Sequence, residues 1–243
     1  KIQPCSYKSF AIIASPASLH TKHAVLFAKK NFHILCEKPL TSNMRYLRDL
    51  IKVLNRNNLS SHVGYNMRFL QSIIFLKKTI DKNLFGKILS SNISVCTDFT
   101  EWRPNKFYKE TSTASKSLGG GVVNELSHEI DYMNYLFGQP LAQESVVYKS
   151  NKLKLEVNDV CNARFSYPGF KVNVYLDMLS SIEKRICYIQ FENAKVLLNI
   201  KNNTIVIIEN KGREKVYSFS KNMSNTYEDQ IKYFIKKIKD KII

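Results

Sequence analysis

Residues 10–40 read FAIIASPASLHTKHAVLFAKKNFHILCEKPL. Phe10 to Ala14 is a short apolar run closed by Ser15-Pro16. A continuous run of this length, ended by a turn, fits a strand buried on both faces of a parallel sheet. Ser18 predicts the N-cap of a helix over 19–30, where Ala24, Leu26, Phe27 and Ala28 supply packing surface. Residues 32–36 make a second buried strand, ending at Glu37-Lys38-Pro39. Ser42 predicts the cap of a second helix, with Leu47, Leu50, Ile51 and Leu54 at helical spacing. Residues 61–66 make a third short strand. Strand, helix, strand, helix, strand is the alternation of a doubly wound parallel sheet.

Beyond this stretch the pattern changes. A helix over 70–84 stops near Gly86, and residues 87–99 alternate with Leu89, Ile93 and Val95 on one side, as a half-buried strand does. One helix over 122–137 is predicted, with Val122, Leu126, Ile130, Met133 and Phe137 as its apolar stripe, stopped by Gly138-Gln139-Pro140. After it come strands: 159–167 and 171–178 around the Pro168-Gly169 turn, then 185–191, 195–200, 204–209 and 214–219 as a meander. Thr226 with Asp229 predicts the start of a last helix, whose stripe is Tyr227, Ile231, Phe234 and Ile238. The expected organisation is α/β followed by α+β. Residues 1–67 would be a partial doubly wound parallel sheet, and residues 68–243 a domain with a large, mainly antiparallel open sheet.

The chain has 243 residues, 44% of them hydrophobic, enough for a sizeable core. It contains no apolar run of the ~18 residues that a membrane-spanning helix needs. The start, Lys1 to Cys5, lacks the charged-then-apolar pattern of a secretion signal. Its five cysteines (Cys5, Cys36, Cys96, Cys161, Cys187) are odd in number and form no CxxC pair, so reduced thiols in a cytoplasmic protein are expected and no metal site is. The formal charge of +17 fits nucleic acid, an anionic membrane, a phosphorylated cofactor or a nucleotide sugar. The lysines are scattered and no nucleic-acid motif accompanies them, so specific nucleic-acid binding is not expected.

Three places carry candidate chemistry. Glu37-Lys38-Pro39 follows a predicted parallel strand, where open α/β sheets bind ligands, and Lys38 there can donate or accept a proton; a solvated charge pair before a helix is the plainer alternative. Gly119-Gly120-Gly121 gathers three of the eight glycines and permits close approach of backbone to a ligand. In the helix that follows, Asn124, His128, Asp131 and Tyr135 share a polar stripe that either lines a pocket or faces water, and His128 is the acid–base candidate. Between these places, Trp102 and Tyr108 can stack on a sugar ring, and Arg103 can bind phosphate or carboxylate.

Ala11-Ile12-Ile13-Ala14-Ser15-Pro16 with His20, Glu37-Lys38-Pro39, Gly64-Tyr65-Asn66-Met67-Arg68-Phe69, and the triple glycine with His128 occur in that order. Together they resemble the glucose–fructose oxidoreductase, inositol dehydrogenase and rhizopine-catabolism (Gfo/Idh/MocA) family, over nearly the whole chain. The version from Trp102 to Tyr132 is similar to members associated with surface-sugar and nonulosonate pathways. The resemblance implies a Rossmann domain binding NAD or NADP, hydride transfer between nicotinamide and a sugar or nucleotide sugar, and association of copies through the open sheet. It implies Lys38 as the proton-transfer residue, with His128 beside it at the substrate. Glu37 would lie by the nicotinamide ribose, and Ser15, Pro16 and His20 along the cofactor. Arg68, Trp102, Arg103, Tyr108 and Asn124 or Glu125 would lie around the substrate.

Two departures qualify this. The family's aspartate, four residues before the histidine, is replaced by Asn124, with Glu125 three before; which of them takes its place is open. The family also begins with a Gly-x-Gly-x-x-Gly turn that holds the cofactor pyrophosphate. No such turn occurs in this sequence; the expected missing portion is ~60 residues, at ~30 per βαβ unit. Weak or absent cofactor binding, and hence impaired activity, is the expectation. A non-catalytic sugar-binding or dimerisation remnant of the family is the alternative, and a basic module binding nucleic acid or membrane is the third reading.

Overall fold

The computed structural model describes residues 9–210, 212–220 and 222–240; Cys5 and the rest of the start lie outside them. Strands β1 (Phe10–Ile13), β2 (His33–Cys36) and β3 (Ser61–Val63) form a parallel sheet in that order. Helices α1 (His20–Ala28) and α2 (Leu47–Arg56) make the crossovers. Ala11, Ile13, Ala24, Ala28, Ile34, Cys36 and Leu50 close its core, as apolar strands buried by flanking helices require.

Neither predicted serine cap forms. A 3-10 turn at Ala17–Leu19 precedes α1, whose N-cap is Leu19. The Ser18 backbone N–H instead donates to the Leu118 carbonyl at 3.2 Å. Helix α2 begins five residues beyond Ser42, with Tyr46 at its N-cap. Thr41 and Asn43 close a local turn there, and short polar side chains compete for backbone in this way. β3 stops at Val63, short of the expected end at Asn66, which instead opens a 3-10 turn over Asn66–Phe69.

The second sheet has eight strands in the order β11-β10-β9-β8-β4-β7-β6-β5. They are β4 (Ile88–Asp98), β5 (Ala142–Tyr148), β6 (Val160–Tyr167), β7 (Phe170–Asp177), β8 (Leu179–Phe191), β9 (Ala194–Asn199), β10 (Thr204–Glu209) and β11 (Glu214–Ser218). Every pairing is antiparallel except that of β4 with β7. Ile93, Val95, Val172, Val174, Ile189 and Leu198 line one face, under Ile73 and Leu76 of α3 (Gln71–Asp81) and Met133 and Leu136 of α5 (His128–Phe137). Register places Asn92, Asn162, Asn173, Leu197, Val206 and Val216 together on the opposite face.

The predicted stripe of β4 is interrupted. A pairing irregularity between Ile88 and Ser90 turns Leu89 out to solvent, and Ser91 joins Ile93 and Val95 inside; a bulge of this kind re-aims the side chains around it. β5 lacks a strand-like apolar alternation, lies at the sheet edge and is exposed along its length, so its sequence carried little signal. Helix α6 (Met223–Asp240) starts before Thr226, whose hydroxyl accepts from Asn66 Nδ2 at 2.7 Å. Its buried face is Thr226, Gln230, Phe234 and Ile238, while Tyr227 is exposed. Phe234 and Ile238 pack on Leu35 of β2. The last helix thus returns to the parallel sheet, where a small cluster joins it to β2.

Candidate active site

The site forms where the C-terminal ends of the parallel strands meet the break between two helices. The helix predicted over 122–137 is two helices, α4 (Val122–Glu125) and α5, separated by Leu126 and Ser127. In a continuous helix the Glu125 carbonyl would accept from the N–H of residue 129. Here the Glu129 N–H turns to Leu126 at 3.4 Å, and the Glu125 carbonyl accepts from Lys38 Nζ at 2.7 Å. The Glu125 carboxylate lies 3.6 Å from the same ammonium. Asn124 instead ties down its own loop, donating to Gly119 O at 3.0 Å. Of the two candidates for the family's aspartate, Glu125 is the one beside Lys38.

His128 opens α5 next to this contact. Burial pushes its pKa well below the usual imidazole value, and the positive charges of Lys38 and Arg185 push the same way. At neutral pH it is uncharged, so it offers one N–H and one lone pair rather than an imidazolium. Its Nδ1 is enclosed and has no protein partner. The Tyr65 ring meets the imidazole edge-on at 5.7 Å. Tyr65 is a site residue the sequence reading passed over, although it stands within the Gly64–Phe69 motif.

The expected cofactor residues divide. His20 is buried and both its ring nitrogens lie 2.7 Å from carbonyl oxygens, those of Pro39 and Ser15. It staples the loop after β1 to the loop after β2, and its polar atoms are already engaged. The Ser15 hydroxyl is 3.0 Å from His23 Nδ1, with Pro16 next in the same turn. The Glu37 carboxylate accepts from the Lys38 N–H at 3.3 Å and rests against Gly64, where an added Cβ would come within 3.0 Å of it. An acceptor-rich carboxylate over a glycine suits the hydroxyls of a nicotinamide ribose. The residues present therefore fit that end of the cofactor; nothing in the sequence supplies the pyrophosphate turn.

The expected substrate residues divide as well. Arg68 grips Asp131 through two bonds of 2.8 and 2.7 Å and stacks on Tyr135 at 5.3 Å. This anchors α5, and together with the break at 126–127 it dissolves the supposed polar stripe of Asn124, His128, Asp131 and Tyr135. Trp102 donates its indole N–H to Thr97 at 2.8 Å, and Trp102 and Tyr108 both pack edge-on against Phe99. Arg103 is exposed. The triple glycine serves packing: a Cβ at Gly120 would stand 2.1 Å from the Thr113 carbonyl, and Gly119 (φ +86°) presses on Ser18 and Ser42.

Glu129 and Arg185 were also missed. Glu129 is fully buried, and Arg185 from β8 clasps it at 2.7 and 3.0 Å. Nothing local marks this pair, since its members are 56 residues apart. Arg185 lines a cavity of about 420 Å³ together with Thr97, Trp102, Leu126, Asn202 and Met223. The thiols of Cys36 and Cys187 are pushed up to about 12 by burial, which removes them as nucleophiles at neutral pH.

Residues 73–196 match the model of the GFO/IDH/MocA C-terminal domain. Residues 8–65 match that of the GFO/IDH/MocA oxidoreductases with an NAD-binding Rossmann fold. Glucose-6-phosphate 3-dehydrogenase of Bacillus subtilis is 31% identical over 140 residues, 58% of this chain and 40% of that one. Myo-inositol 2-dehydrogenase of Thermotoga maritima is 21% identical over 238 residues, 94% of this chain and 69% of that one. The solved levoglucosan dehydrogenase in complex with NADH and levoglucosan superposes with a TM-score of 0.82 at 18% identity, covering 94% of this chain and 70% of the other; it shares the fold. The chain spans about two fifths of the Bacillus relative.

Proposed function

As this chain belongs to the GFO/IDH/MocA oxidoreductase family, we propose that it carries the substrate side of an enzyme transferring hydride between a sugar or nucleotide-sugar carbon and NAD or NADP. The observation that carries this reading is the Lys38 ammonium held at 2.7 Å by the Glu125 carbonyl beside His128. When bound, the nicotinamide supplies the hydride acceptor or donor. Lys38 Nζ exchanges a proton with the reacting oxygen, and its charge steadies that oxygen as the C–H bond breaks or forms. Glu125 aims the ammonium. Neutral His128 orients a sugar hydroxyl through Nε2, with Tyr65 setting the imidazole plane. The outward face of the large sheet, with Leu197, Val206 and Val216, packs on a second copy of the chain. The buried thiols suit a reducing, cytoplasmic setting.

The test is nicotinamide reduction with sugars, followed at 340 nm (a property of the cofactor, about 340 nm for its reduced form), beside calorimetric titration with NADH. Lys38→Ala is expected to cost ~10²–10⁴-fold in rate with cofactor affinity nearly unchanged. Sugar binding without measurable nicotinamide binding supports the second reading, a non-catalytic remnant.

A further inference from the structure

We propose that the cavity beside His128 takes an anionic group of the substrate, a carboxylate or phosphate, on the free edge of Arg185. The identity of the substrate as a sugar rests on the oxidoreductase reading above; the anion site itself rests on the cavity.

The cavity lies between the end of β4, the middle of β8, the end of β9 and the start of α6. Leu126, in its wall, belongs to the same helix break that frees the Glu125 carbonyl for Lys38, and the Arg185 charge acts on His128. Arg185 spends Nε and Nη2 on Glu129. Among the described residues no acceptor meets its Nη1, and the side chain keeps 26% exposure, which leaves that edge of the fork for a ligand oxygen. Held from behind by a buried carboxylate, the guanidinium is already oriented, so little rotamer entropy is lost when a ligand binds.

The lining narrows the choice of ligand. Lys184, Arg185 and Lys201 line the cavity against one carboxylate, Glu183. Glu183 pairs with Lys201 and Glu129 with Arg185, while Lys184 alternates with Arg185 along β8 and faces the other side of the sheet. Among the described residues the one unpaired guanidinium edge facing the cavity is that of Arg185, and an anionic oxygen takes a stronger hydrogen bond from it than a neutral hydroxyl does. The indole N–H of Trp102 is taken by Thr97, so this side chain offers carbon surface only, as the wall beside a sugar ring requires. A volume of about 420 Å³ admits a substituted sugar ring.

The test is calorimetric titration of the full chain with glucose, glucuronate, glucose 6-phosphate and UDP-glucose. Glucuronate, or one of the two phosphate-bearing probes, is expected to bind roughly tenfold or more tightly than glucose, the worth of one hydrogen bond to a charged group. Which of them gains tells carboxylate from phosphate. The double variant Arg185→Gln/Glu129→Gln keeps a neutral hydrogen-bonded pair and is expected to erase the gain. Asn202→Asp, at an exposed position of the rim, is expected to weaken the anion while sparing glucose, and does not depend on the buried pair for folding. Equal binding of glucose and the anions, a gain that survives both variants, or no binding of any probe overturns the proposal. Turnover is not needed for this readout. Arg185-dependent anion binding without nicotinamide reduction would count against the oxidoreductase reading alone, and turnover of glucose without an anion preference against the anion site alone.

Discussion

Two kinds of ion pair hold the segment 122–137, and they differ in a way that matches their positions. Glu129 and Asp131 are each clasped by an arginine fork through two short bonds. Glu125 faces Lys38 across 3.6 Å, and the close contact there is to its carbonyl. A guanidinium fork is rigid and never gives up its proton; an ammonium on a flexible stem can do so. The arginine pairs fix the helix against the sheet and against the Asn66–Phe69 turn. The lysine contact is left adjustable, as the proton transfer proposed for Lys38 requires. The same helix is locked at two points and loose at one.

The sharpest test of this contrast is Glu129→Ala. It leaves Arg185 buried without its partner, and a loss of about 3–5 kcal/mol is expected, read from urea denaturation. Asp131→Ala is expected to cost less, about 1–3 kcal/mol, because the partner it leaves behind is Arg68, whose side chain is 41% exposed and reached by water. Equal losses in the two variants would break the ranking by burial.

His128 gives a dependence on pH. Its folded pKa lies below the unfolded value of 6.5 because burial disfavours its charged form. Below about pH 6.5 the unfolded chain therefore binds the extra proton first, and stability falls with pH until the folded imidazole also titrates. His128→Asn is expected to flatten this slope in urea midpoints measured between pH 7 and pH 5. The smallest change in stability is expected from Glu125→Gln, under about 1 kcal/mol, since the carboxylate is partly solvated and the carbonyl contact persists. A loss as large as that of Glu129→Ala would mean that the Lys38 contact is structural.

Where local pattern and tertiary demand agreed, the sequence was legible. The parallel strands showed because apolar runs closed by Ser15-Pro16 and Glu37-Lys38-Pro39 have few other uses. Pro168-Gly169 marked its hairpin through the φ of +82° at Gly169. The serine caps failed because helix starts at this surface are set by contacts with the triple-glycine loop, to which Ser18 is bonded and against which Ser42 packs. The break in the long helix was hidden, because Val122, Leu126 and Met133 keep helical spacing across it and are buried on both sides of it.

Alone, then, the sequence determined the α/β start, the strand-rich remainder, and Lys38 and His128 as the pair to watch. Each of these rests on short-range periodicity or on motifs in a fixed order. Only the tertiary structure decided that Glu125 rather than Asn124 meets Lys38, that His20 and Arg68 bind protein atoms, and that Glu129 and Arg185 join across 56 residues. Those outcomes depend on which groups find partners once water is excluded. Burial, not residue type, assigned each polar atom either to the scaffold or to the site.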